Sequence, residues 1–226
     1  DFKEVREARD KYSPIWGAWT GEFPQPNEWI HLWRYKNLQE RFEARAAAMK
    51  DPARLDRWFE LVLAELGRPR ARVTQLDLTS FSAGYGAIRE IVQSPRHFAL
   101  LRRVVLADSL YAGLEAGEKR TPLAANIDPW IPLARAAMDG RKQFAITVSQ
   151  VKTPTYANSE ECAKEIVRRV GGQVRPVMRG DGAASLDPEF PLLERFDHGG
   201  FHAWFYGGSD AQAHMTHARH IAQIWK

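Results

Sequence analysis

LDLTSFSAGYGAIREI (76–91) is the stretch whose reading decides the fold. Its alternating apolar residues predict a strand that ends at Phe81. Ser82, Ala83 and Gly84 then crowd small side chains into a tight turn, and GAIREIVQ (86–93) predicts a helix. A strand running straight into a serine and then a helix sets the hydroxyl on a sharp turn at the carboxyl edge of a sheet. The helix N-terminus and the Ala83 backbone N–H then lie beside any oxyanion formed there. The usual pattern is Gly-x-Ser-x-Gly. Here Ser80 takes the place of the first glycine in Ser80-Phe81-Ser82-Ala83-Gly84. The same residues also fit a serine that only caps an ordinary helix.

Downstream of this turn, apolar runs and helical stretches alternate. RRVVLADSL (102–110) is β-branched and ends in polar residues, residues 131–140 are helical, and KQFAITVSQ (142–150) is strand-like. Residues 160–170 are helical again, followed by a short strand VRPVM (174–178), the strand FHAWFYGG (201–208) and the helix SDAQAHMTHARHIAQIWK (209–226). Strands alternating with helices predict an α/β fold, a mostly parallel sheet with helices on both faces.

Upstream, the rhythm differs. Residues 1–13 read as the end of a helix, and GAWTGEFPQPNEWIHLWRYKN (17–37) as a hairpin turning at Pro24–Asn27. Asn37 precedes the helix LQERFEARAAAMK (38–50), which stops at Asp51-Pro52. In DPARLDRWFELVLAELG (51–67), Leu55, Trp58, Phe59, Val62, Leu63 and Leu66 fall on one helical side. The expected division is a small α+β segment over 1–52 and an α/β domain over 53–226.

A nucleophilic serine needs a base and an orienting acid, in the chain order Ser, Asp or Glu, His. Asp108 ends VVLAD on the same sheet edge, although a carboxylate there also suits capping of the next element. His214, His217 and His220 come after the last strand. His214, nearest the loop, is the first choice for general base and His217 the second. Their spacing puts all three roughly on one helical face, which invites a metal reading. With Asp210 the one nearby carboxylate, that reading ranks below the triad, and neither a metal nor another cofactor is expected. Asp128 in NIDPW, and Ser149 with Lys152 in TVSQVKTPTY, fall on loops that rim the same edge. Trp130, Tyr111 and Tyr156 either line a pocket or pack the core. His202 reads as a strand residue and His198 as part of a glycine-rich loop.

Composition narrows the function classes. The chain has 226 residues, 44% hydrophobic and 27% charged, and no apolar run approaches the ~18–20 residues of a membrane span. The net charge is +4. Its basic residues are interleaved with acids, as in LQERFEARAAAMKDPARLDRW (38–58), which reads as solvated helix faces rather than a nucleic-acid surface. The single cysteine, Cys162, lies in the helical pattern NSEECAKEIVRRV (158–170) and reads as a small buried thiol. One cysteine, with an opening DFKEVREARD unlike a secretory signal, gives the expectation of a cytoplasmic protein.

The chain carries two resemblances. SFSAGYGAIREI, VVLADSLYAGL, KQFAITVSQVKTPTYANSEECA and GGSDAQAHMTHARHI resemble bacterial α/β-hydrolase-like proteins over roughly residues 54–226. The resemblance implies a triad of Ser82, Asp108 and His214 and leaves the substrate undefined; with Ala83 N–H as an oxyanion donor, the expectation is a serine hydrolase acting on an ester or similar acyl compound. Ser80 departs from the family's glycine, and no HG-type loop donating a second oxyanion N–H is visible. KYSPIWGAWTGEFPQPNEWIHLWRYKNLQERFEARAAAMKDP, in contrast, resembles the NIPSNAP family over residues 1–52. This implies a ferredoxin-like α+β unit that pairs sheets in a homodimer. The competing expectation to a hydrolase is therefore a non-enzymatic scaffold that self-associates through Trp16, Trp19, Trp29 and Trp33 of the hairpin.

Overall fold

Along the middle strands of the larger sheet, successive side chains face opposite apolar clusters. Val104 and Leu106 enter one, Val105 and Ala107 the other. This period of two is what a strand buried on both faces requires. The computed structural model describes residues 15–21, 28–33, 35–37, 39–44, 53–117, 119–178 and 187–225. The chain divides into two compact units, Asp1–Val73 and Thr74–Lys226. That division falls further along the chain than the 52/53 boundary read from sequence.

In the first unit, β1 (Ile15–Gly21) pairs antiparallel with β2 (Glu28–Trp33), with Ala18 opposite His31 and Trp19 opposite Ile30. The expected turn at Pro24–Asn27, the helix over 1–13 and the side chains of Trp16, Trp19, Trp29 and Trp33 lie outside the described residues. The helix entered at Asn37 is capped by that side chain, whose Oδ1 accepts the Glu40 N–H at 2.8 Å. Helix α1 (Ala53–Glu65) buries Phe59. Trp58 and Leu66, read from sequence as part of the same apolar face, are 52% and 66% exposed.

In the second unit the order is β3-β4-β5-β8-β7-β6. Strands β3 (Leu76–Phe81), β4 (Leu101–Ala107), β5 (Gln143–Val148) and β8 (Phe201–Tyr206) run parallel. Strands β7 (Leu192–His198) and β6 (Arg175–Pro176) close one side antiparallel. One face is covered by α2 (Tyr85–Gln93), α4 (Ile131–Met138) and α5 (Ser159–Arg169) through Ile88, Val92, Leu133, Ala137, Cys162 and Ile166. Between α2 and β4 runs the short α3 (Pro95–Leu100). The opposite face holds α6 (Ala211–Arg219) and α7 (Ile221–Ile224), with Ile224 against Val105 and Ala107 and His217 against Thr147. Trp130, Phe144 and Phe201 stack in sequence through the first core. Burying each such side chain contributes about 1.5–3 kcal/mol.

Strand β7 is a correction. The sequence reading puts His198 in a loop, whereas it ends a seven-residue strand joined to β8 by Gly199 and Gly200. A Cβ on Gly199, at φ +57, would stand 2.2 Å from the Met138 carbonyl oxygen. One on Gly200 would stand 2.3 Å from that of Lys142. Among the described residues, no helix is long and apolar enough to cross a membrane.

Candidate active site

The parallel register carries Phe81, Ala107, Val148 and Tyr206 to one carboxyl edge, where α/β sheets bind ligands. Immediately past β3, Ser82 turns into a 3-10 turn, Ser82–Gly84, that leads into α2. Its backbone has φ +53, and Asp108, immediately past β4, has φ +43. These are the non-glycine residues of positive φ among the described ones. Such strain persists only where surrounding structure holds it, and it concentrates at functional sites. The turn packs tightly at Gly84, where a Cβ would stand 3.0 Å from Ser80 Cβ. Under the turn, Ser109 Oγ donates to the Ser82 carbonyl at 2.6 Å.

Asp108 is 3% exposed and its carboxylate gathers three donors. Oδ2 accepts from Ser149 Oγ at 2.6 Å and pairs with His214 Nδ1 at 2.7 Å, while Oδ1 accepts the Ser149 backbone N–H at 3.2 Å. Burial alone pushes this carboxyl up. The His214 hydrogen bond, the nearby His217 and the two Ser149 bonds together outweigh it and hold the group below the usual carboxylate range. An ionised carboxylate only accepts, so His214 Nδ1 carries the hydrogen of this bond, and in the neutral ring that tautomer leaves the lone pair on Nε2. The Phe81 ring stacks on the His214 ring with centroids 4.5 Å apart. The residue preceding the serine therefore also fixes the imidazole plane.

Ser82, Ala83, Asp108 and His214 line one cavity of about 680 Å³. Tyr85, Tyr111 and Tyr156 wall it, linked edge to face at 5.6 Å for each neighbouring pair. Tyr111 donates its hydroxyl to the Asp108 carbonyl at 3.1 Å, and burial pushes its pKa up to about 12, so it stays a donor. Val151, Thr153, Asn158, Ser159, Ser209 and Asp210 complete the polar and apolar rim. Among the described residues, no Lys or Arg lines the cavity.

Other residues singled out in the sequence go elsewhere. His217 is 1% exposed and bonds Thr147 Oγ1 through Nδ1 at 2.8 Å, away from the cavity lining. Burial pushes its pKa down to about 4, so the ring is neutral. His220 faces Asp187 at 3.9 Å. Among the described residues, no group of three His, Cys, Asp or Glu stands at metal-binding spacing. Trp130 is core, Asp128 pairs with Arg169, and Lys152 pairs with Glu160. Cys162 is fully buried, and burial raises its thiol pKa.

The sequence reading passes over Tyr85, Ser109, Asn158, Ser159 and Ser209. Tyr85 sits inside the quoted turn motif, and Ser109 comes directly after the strand carboxylate, so both are within reach of the motif.

Residues 1–76 match the NIPSNAP family. The NIPSNAP match spans the hairpin, the helix entered at Asn37 and α1, and it stops at the first residue of β3. It therefore extends beyond the 1–52 segment read from sequence and leaves Ser82, Asp108 and His214 outside it. Comparison with curated proteins and with solved structures returns no match. Nothing in these comparisons supports the hydrolase resemblance read over residues 54–226.

Proposed function

We propose that the Thr74–Lys226 unit is a serine hydrolase that cleaves an uncharged ester or similar acyl compound. The observation that carries this reading is the joint geometry of two groups in one cavity. Ser82 stands on a strand-to-helix turn at φ +53, and His214 is held by the buried Asp108 at 2.7 Å. Ser82 Oγ attacks the acyl carbon as its proton passes to His214 Nε2, and the carbonyl electron pair moves onto oxygen. The Ala83 N–H stabilises that oxyanion. Collapse expels the alcohol, which takes the proton from His214 and leaves an acyl group on Ser82. Water then repeats the sequence to release the acid. A lining without Lys or Arg among the described residues, and with Asp108 and Asp210 in it, supports a neutral substrate, because a carboxylate would meet like charge and no fixed cation there.

A fluorophosphonate probe tests the reading. The wild type is expected to label covalently and Ser82→Ala not at all. An unlabelled wild type, or label that persists in the variant, ends it. The NIPSNAP match over residues 1–76 favours a second reading, a catalytically silent scaffold whose N-terminal segment self-associates. Sedimentation decides this one, since a monomer at micromolar concentration argues against it.

A further inference from the structure

Ser80 stands where the usual motif has glycine, and its side chain has a partner. Ser80 Oγ lies 2.7 Å from Ser109 Oγ, and Ser109 Oγ donates to the Ser82 carbonyl at 2.6 Å. A hydroxyl has one hydrogen to give. Ser109 has committed its own to the carbonyl, so Ser80 must be the donor to Ser109. The order is fixed as Ser80 O–H to Ser109 Oγ, then Ser109 O–H to the Ser82 C=O. Ser80 is 8% exposed and Ser109 fully buried, so little water competes for either bond. Hydrogen bonds in series also polarise one another.

The acceptor carbonyl shares a peptide unit with the Ala83 N–H. That unit is planar and trans, so its C=O and N–H point in opposite directions. The C=O points to the buried Ser109, which aims the N–H the other way. Ala83 itself is exposed and lines the cavity with Ser82 and His214. The same bond also restrains Ser82, whose left-handed backbone needs its neighbours to hold it.

We infer that Ser80 and Ser109 form a positioning pair that locks the Ser82–Ala83 peptide plane and so aims the Ala83 N–H at the oxyanion. This rests on the hydrolase reading above. It also explains how serine occupies the first position of the motif without loss of the turn: the hydroxyl contributes a bond that glycine cannot.

The test compares labelling kinetics and crystal structures of Ser109→Ala, Ser109→Cys and Ser80→Gly with the wild type. A misaimed oxyanion donor acts on the transition state. The maximal labelling rate of Ser109→Ala should therefore fall roughly tenfold to a hundredfold, with the half-saturating probe concentration unchanged. Ser109→Cys, similar in shape but a poorer donor, should fall between, and it carries the test should the alanine variant not fold. Ser80→Gly keeps the bond to the carbonyl and should lose less rate than Ser109→Ala. In the Ser109→Ala structure the Ser82–Ala83 peptide should rotate and Ser82 should leave φ near +53. Where the wild type labels at Ser82, an unchanged rate in Ser109→Ala, or an unchanged peptide plane, overturns the inference. Should the wild type not label at all, the hydrolase reading falls and the peptide plane alone decides whether the pair holds the turn.

Discussion

Asp108 concentrates the electrostatics of the cavity. A carboxylate 3% exposed is stable only if its lone pairs are used, and here Ser149 supplies two donors and His214 a third. Asp108→Asn keeps the shape but can no longer accept from every donor, which disturbs the tautomer that leaves His214 Nε2 free. If the proposed hydrolase reading holds, its labelling rate is expected to fall about 10⁴-fold, with the fold intact by circular dichroism. Ser149→Ala removes the 2.6 Å bond while leaving the backbone donor in place. Its cost should be about 1–3 kcal/mol in urea unfolding, because the carboxylate stays buried with one partner fewer. A Ser149→Ala protein as stable as the wild type would show that this hydroxyl does not hold the carboxylate.

At the scale of elements, the cavity wall depends on a loop held from outside. Arg120 donates to the carbonyls of Thr153, Pro154 and Tyr156 and pairs with Glu161 of α5. Helix α5 is itself started by Asn158, whose side chain accepts the Glu161 N–H and donates to the Val151 carbonyl. Arg120 is partly exposed, so its ion pair adds little stability. Its geometric effect on Thr153 and Tyr156 is larger. Arg120→Ala should raise the half-saturating probe concentration several-fold while shifting the unfolding midpoint little. A large loss of stability with unchanged saturation would reverse that assignment. Asn158→Ala should cost about 1 kcal/mol or more, because a capping box and a loop bond go together, and thermal unfolding measures it. The β7–β8 hairpin gives the sharpest steric case. Gly199→Ala would drive a Cβ into the Met138 carbonyl at 2.2 Å and is expected to leave the protein largely insoluble or unfolded on expression.

For the whole molecule, His217 sets an acid limit. Its pKa is near 6.5 in an unfolded chain, but burial lowers it to about 4 in the fold. Between those values the unfolded chain binds a proton that the folded chain refuses, so stability rises with pH. The contribution is complete above about 6.5 and is lost as pH falls toward 4, amounting to about 3 kcal/mol in all. Asp108, also held below its ordinary value, acts in a lower window, under about pH 4. Urea unfolding between pH 4 and 7 should therefore show a steep loss on acidification. His217→Asn, which can still bond Thr147, should flatten it, and an unchanged slope would assign the loss to other groups.

Much of the second unit was legible in the sequence because its signals are local. The strand, small-residue turn and helix over 76–91 result from apolar spacing and side-chain size. A run of parallel βα units then delivers the end of each strand to the same edge, which is why Ser82 and Asp108 could be assigned to one edge without coordinates. The Gly-Gly turn that makes β7 a strand was equally local, but its polar ERFDH segment hid the period of two. Other features had no local trace. The bond between Asp108 and His214 spans 106 positions, and that between Ser149 and Asp108 spans 41. The burial of His217, the core place of Trp130 and the exposure of Trp58 depend on which elements cover a helix or strand face. Sequence determined the strand-to-helix turn that carries Ser82 and the strand that ends at Asp108, because covalent neighbours and side-chain size suffice for both. Only the tertiary structure decided what holds the serine, aspartate and histidine in place, because that depends on strand register and packing between residues far apart in the chain.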